Sequence, residues 1–371
     1  MASTKFRVPR KQTLPAEFRT RKLQAIYCHF VSMQEQMVRR PQEANMFRFK
    51  ITLLTVLSFI LLSVLVLPGQ AQKDKGDKKG KEHYTGTGTP VLWREPTDIA
   101  SRDLFLGAGG QAMKPDLSRV TFVTEEKTGH SMKYVVKDAK GMEWRIKFSN
   151  EAQSETAASR LVWAAGYFTD IDYYVPEVKI EGKGVVKNAR FEARPKGIKR
   201  IDDEWDWDNN PFGGRNELQG LKVLMVLLNN WDLKTANNRV LVVPDPNTGT
   251  TELRYIVSDL GATLGKYGSN ITHNRNQPKD YSKSKLIKQV NGERIIFAFH
   301  ATRDQMLENV TVSNAKWIAN ILSQLSDQQI SDAFRAGGYT PEVIQLLTQA
   351  FRARVNELAS LPSGTQTATG N

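Results

Sequence analysis

Between residues 121 and 148 apolar and polar positions alternate. TFVTEE, KYVVKD and MEWRIKF are short β-rich runs parted by KTGHSM and AKG, whose glycines suit tight connections, so the segment predicts a three-stranded meander. Lys147 stands at the end of the third run. The period then changes. SNEAQSETAASRLVWAAGY sets small and apolar residues at helical spacing, with Ser149 or Asn150 as N-cap and Gly166 as stop. Glu151 and Glu155, four apart, share one face of that helix. VPEVKI and VVKNARFEA return to strand character, so five strands with one helix between the third and fourth make a small α+β lobe. Further on, the apolar run LKVLMVLL leads into the polar stretch NNWDLKTANN, and RVLVV and LRYIV flank DPNTGTTE as a hairpin. VSNAKWIANIL, SDQQISDAFRAGG and PEVIQLLTQAFRARVNELA read as three helices, with Gly337-Gly338 ending one and Pro341 opening the next. Their apolar spacing is that of a core.

The first 90 or so residues have a different pattern. ITLLTVLSFILLSVLVL, residues 51–67, carries no charge, follows Arg48 and Lys50, and is followed by PGQAQ, with Gly69 and Ala71 spaced like a signal-peptidase site. Residues 51–71 therefore read as a signal peptide or membrane anchor, and residues 1–50 as a leader and basic n-region, with Met46 as an alternative start. Export, cleaved or anchored through residues 51–67, is the expectation. A cytoplasmic domain on an anchor is the alternative, because four Lys/Arg in residues 31–50 face five in residues 72–91. Residues 72–92, rich in Lys, Gly and Asp, read as a flexible tether, and residues 363–371 as a disordered tail.

Charge supports this division. Of the net +13, about +10 lies in residues 1–82, so residues 83–371 are close to neutral and no nucleic-acid partner is expected. Cys28, the only cysteine, precedes the main domain, which excludes a disulfide or a cysteine-ligated metal within it.

The polar stretch after LKVLMVLL holds Asp232, Lys234 and Asn237 at offsets of two and five, and Asp259-Leu260-Gly261 follows the strand LRYIVS. With Lys147 ending a third strand and Glu155 on the next helix, the chain resembles the protein-kinase-like superfamily over roughly residues 115–270. YIVSDLGATLG looks more like the corresponding segment of phosphoinositide kinases and HipA-like kinases than that of ordinary Ser/Thr kinases. The resemblance implies a bilobal α+β fold: a small β-rich N-lobe over residues 93–197 and a larger, mostly helical C-lobe over residues 198–362. It also implies a phosphotransferase using ATP or another nucleotide with Mg²⁺ and an unknown hydroxyl acceptor: protein, lipid or small molecule. Asp232 would orient or accept the acceptor's proton and Lys234 would offset charge on the transferred phosphoryl group. Asn237 and Asp259 would be metal ligands. Lys147 would touch the α/β-phosphates, held by Glu155 or, as second choice, Glu151, and glycine near Gly129 would let backbone amides approach phosphate.

The sequence departs from the family pattern. Asn230-Trp231 stands where His-Arg is usual, no G-x-G-x-x-G is present, and no A-P-E follows Asp259. A catalytically silent kinase-fold binding module and an envelope-associated interaction protein are the alternatives. In IDDEWDWDNNPFGGRNE, Asp206, Asp208, Asn210 and Glu217 outline a calcium loop, but Pro211 stands where that loop needs glycine. A solvated acidic loop beside the cleft is the expectation there. His273 and His300 have no metal-ligand spacing and are given no role.

Overall fold

A computed structural model describes residues 86–126, 132–201, 205–245, 248–268 and 272–362. The leader, the apolar segment 51–67, Gly129 and the tail lie outside these residues. Among the described residues no helix is long and apolar enough to cross a membrane.

The N-lobe is a five-stranded antiparallel sheet in the order β2-β3-β4-β6-β5, formed by β2 Thr121–Glu126, β3 Lys133–Lys137, β4 Glu143–Phe148, β5 Asp172–Ile180 and β6 Gly184–Ala193. Its strands are amphipathic at period 2. Val136, Trp144, Ile146, Phe191 and Ala193 point into one apolar core, which leaves the charged residues between them on the other face. Helix α1, Glu151–Ala164, joins β4 to β5 and is buried nearly all round. Its small residues, Ala152, Ser154, Ala157 and Ala158, let it pack closely between the sheet and the C-lobe. Asn150 is the N-cap by position but makes no side-chain cap bond; Ser149 Oγ accepts the Glu151 N–H at 3.2 Å instead.

The C-lobe core gathers α2 Asn216–Leu227, α3 Pro278–Lys283, α4 Val312–Leu322, α5 Asp327–Ala336 and α6 Pro341–Ala359. The N-termini of α4 and α5 are closed by capping boxes at Thr311 and Ser326. The hairpin β8 Asn238–Pro244 and β9 Thr251–Val257 lies in a second sheet, flanked by β7 Lys199–Ile201 and β1 Thr89–Val91.

β1 corrects the sequence reading. The tether was expected through residue 92, yet Thr89–Val91 is a strand parallel to β9, and Leu92 is buried. Residues 93–197 were expected as the N-lobe, yet Ile99 and Leu104 enter the larger core. The reason is burial: these apolar side chains have the C-lobe helices as their nearest cover. A further hairpin, β10 Ile287–Asn291 and β11 Arg294–Phe297, turns at Asn291-Gly292, with Gly292 at φ 58°. The sequence reading had no element there.

Candidate active site

Strand period positions the roof of the site. On β4, Trp144 and Ile146 enter the core, so Arg145 and Lys147 face the cleft. Lys133 on β3 and Arg190 on β6 stand in register with Lys147 on either side. Lys147 is 4 % exposed and lies against three carboxylates: Glu151, Glu155 Oε2 at 3.5 Å and Asp259 Oδ2 at 3.6 Å. Glu155 accepts from Arg190 Nη1 at 2.6 Å, and Arg190 Nη2 donates to Glu192 Oε2 at 2.5 Å. Burial dominates Glu155 and pushes its carboxyl up to about 7, although Arg190 and Lys147 pull the other way. At Asp259 burial also opposes the charge, but Lys147, Arg190 and the Gly261 N–H outweigh it and hold the carboxyl below its usual range.

The floor begins where α2 ends. Asn229 takes the left-handed conformation, φ 53°, and the Asn230 N–H reaches back to the Met225 carbonyl at 2.8 Å, so the helix stops and the chain turns into the loop. Asn229 does more than cap. Its amide donates to Gly265 O and Ser284 Oγ, each at 2.8 Å, and its oxygen accepts from Arg354 at 3.0 Å. Trp231 N–H donates to Ala262 O at 3.4 Å, so a backbone bond links this loop to the Asp259-Leu260-Gly261 segment. Asp232 Oδ1 lies 2.9 Å from Lys234 Nζ. Asn237 Nδ2 donates to the Asp232 carbonyl at 2.7 Å, which leaves its Oδ1 as the acceptor end. The Ser258 and Asp259 N–H groups both reach the Asn237 carbonyl, at 2.8 and 3.3 Å. Two loops separated by the β8–β9 hairpin are latched together.

Lys147, Glu151, Glu155, Asp232, Lys234, Asn237 and Asp259 thus line one cleft of about 1110 Å³. Gly129 lies outside the described residues. Glu151, Glu155 and Asp259 each place one oxygen within 4.8 Å of the others, a grouping able to hold a cation. In this arrangement the cation is the Lys147 ammonium. Asp259 also faces the loop of Asn237, and an amide oxygen with a carboxylate is the hard-oxygen pair that suits Mg²⁺.

Other residues of the site escaped the sequence reading. Arg190 and Glu192 carried a local signal, since in ARFEA they alternate with core residues on a strand. Arg275 carried none: it comes from the segment after Asp259, pairs with Glu151, and lies 4.8 Å over the Trp231 ring. His273, given no role above, stacks on Trp231 with ring centroids 3.7 Å apart and lines the cleft. The acidic loop is not merely solvated. Arg303 donates to Asp206 at 3.0 Å and Asp208 at 3.2 Å, and Thr235 Oγ1 donates to Asp206 at 3.0 Å, so these carboxylates brace the Asp232 loop.

A five-stranded lobe with Lys147 and Glu155 facing a loop pair with Asp232, Asn237 and Asp259 is the arrangement that the sequence's resemblance to the protein-kinase-like superfamily implies. Two solved structures are similar to this chain. The Helicobacter pylori proinflammatory kinase CtkA matches over 67 % of this chain and 94 % of that chain, with a TM-score of 0.38 and 11 % identity. The Rio2 kinase from Chaetomium thermophilum, in a complex with ADP, Mg²⁺ and phosphoaspartate, matches over 64 % of this chain and 72 % of that chain, with a TM-score of 0.28 and 9 % identity. No protein-family model and no curated protein matches the sequence.

Proposed function

We propose that this chain is a kinase-like phosphotransferase, with a Mg²⁺-nucleotide as donor and a hydroxyl group as acceptor. One observation carries the reading: Lys147 with its glutamates, Asp232, Lys234, Asn237 and Asp259 come from separate elements and face one cleft. Core packing does not require that convergence of charge.

In this reading Asp232 takes the acceptor's proton as the new O–P bond forms, and the bond from phosphorus to its bridging oxygen breaks, with the electron pair leaving on the diphosphate. Lys234 offsets charge on the transferred group. Lys147, steadied by Glu155 and Glu151, contacts the α/β-phosphates. Asn237 and Asp259 would hold Mg²⁺, whose chemistry there is to neutralise charge on the phosphate oxygens.

Labelled nucleotide and Mg²⁺, offered to wild type and two variants, test the assignment. Asp259→Asn should lose Mg²⁺-dependent binding. Asp232→Asn should bind normally yet turn over about 10²–10⁴-fold more slowly. Equal loss of binding in both variants contradicts these separate roles. Normal binding without turnover in the wild type assigns a silent binding module instead.

A further inference from the structure

The lining of the cleft bears on which part of a donor the protein holds. Among the described residues it presents seven cationic and five acidic side chains, with Trp231 and Ala236 the apolar ones. Sites that take an aromatic ring are ordinarily walled by apolar side chains. Here the roof is a charged face. Lys133, Lys147 and Arg190 form one cross-strand row, and Arg145 and Glu192 the next. Most apolar residues of these strands point to the opposite core; Val135, in register with Arg145 and so on the same face of the sheet, is buried. On the floor, Arg239 follows Asn237 by two residues and is braced by donating to the Ala236 and Asn238 carbonyls, each at 2.6 Å.

A smaller cavity of about 320 Å³ does have apolar walls, from Phe168, Ile171, Leu241 and Val243. Paired charges divide it from the cleft. Arg200 donates to Ser258 Oγ at 2.8 Å, Ser258 Oγ donates to Asp170 at 2.6 Å, and Arg200 and Arg194 both meet Glu192. A base lodged there would be cut off from phosphates beside Lys147 and Asp259.

We infer that the donor is gripped by its phosphate chain and that the base adds little, so the ligand class is a Mg²⁺-complexed polyphosphate chain, whether on any nucleoside triphosphate or inorganic. This rests on the phosphotransferase reading above and narrows its donor. The grip consists of guanidinium and ammonium groups that match phosphate oxygens.

Competition against labelled MgATP on the full chain tests it, with GTP, CTP, inorganic tripolyphosphate and adenosine as competitors. Tripolyphosphate and the three nucleotides should bind within about tenfold of one another, and adenosine should displace nothing. Arg145→Ala and Arg239→Ala should each weaken ATP and tripolyphosphate alike, by about tenfold. Displacement by adenosine, or ATP binding more than about tenfold tighter than tripolyphosphate, overturns the inference and leaves the phosphotransferase reading standing. If no phosphate chain binds, both fall.

Discussion

Replacing Arg190 with Met probes how the roof of the cleft is held. The side chain is 5 % exposed and joins Glu155 to Glu192; Met keeps the packing of the stem and removes the guanidinium. Glu192 would retain Arg194 and Arg200, whereas Glu155 would retain Lys147, at 3.5 Å. Removing one partner of a buried ion pair costs about 3–5 kcal/mol. With Lys147 still near, the low end, about 3 kcal/mol, is expected near pH 8. The cost should depend on pH. Burial raises the Glu155 carboxyl from 4.5 to about 7 in the folded protein. A folded value above the unfolded one makes a contribution to stability that is complete below about 4.5 and is lost as pH rises through about 7. Without Arg190 a cation that favours the ionised form is gone, so the folded value rises further. Near pH 5.5 Glu155 is then largely protonated in both proteins, and the substitution removes one hydrogen bond to its neutral carboxyl and one to Glu192, about 2 kcal/mol in all. Urea unfolding of wild type and Arg190→Met at the two pH values should therefore differ by about 3 and about 2 kcal/mol. Equal losses at both, or a loss below about 1 kcal/mol near pH 8, would refute the reasoning.

Gly220 lies inside α2, where an added Cβ would fall 2.4 Å from the Trp317 ring and 2.8 Å from the Tyr167 hydroxyl. Gly220→Ala should cost about 1–3 kcal/mol in overpacking, more than the helix propensity it gains, and a thermal melt should fall by a few degrees; an unchanged or higher midpoint counts against the packing described. We propose that residues 51–67 direct the domain across a membrane, so a reporter fused after residue 90 should become accessible outside the cytoplasm. A cytoplasmic reporter removes the compartment and leaves the fold untouched. It would also give the cleft ready access to ATP, which an exported domain meets sparingly.

Much of the fold was legible in the sequence because its signals are local. Period-2 runs announce β2 to β6 and the β8–β9 hairpin, and capping residues with helical spacing announce α1 and the last three helices. The Asn291-Gly292 turn was an equally local signal that the sequence reading passed over. The Asp232–Asn237 spacing was legible for the same reason, since those residues are neighbours along the chain. Period also determines which side of a strand a residue takes, so Lys147 and Arg190 had to lie opposite the core once Ile146 and Phe191 entered it. It does not determine partners. Strand register sets Arg190 beside Lys147, closure of the lobes brings Arg275 to Glu151, and packing gives Asp206 to Arg303 and Thr89–Val91 to β9. Each of these contacts joins segments far apart in sequence, where no short-range preference can select one charge or strand edge over another. Burial and charge neutralisation make that selection in three dimensions, which is why the ion-pair network of the cleft, and with it the reading of a phosphate-gripping site, became visible only in the folded chain.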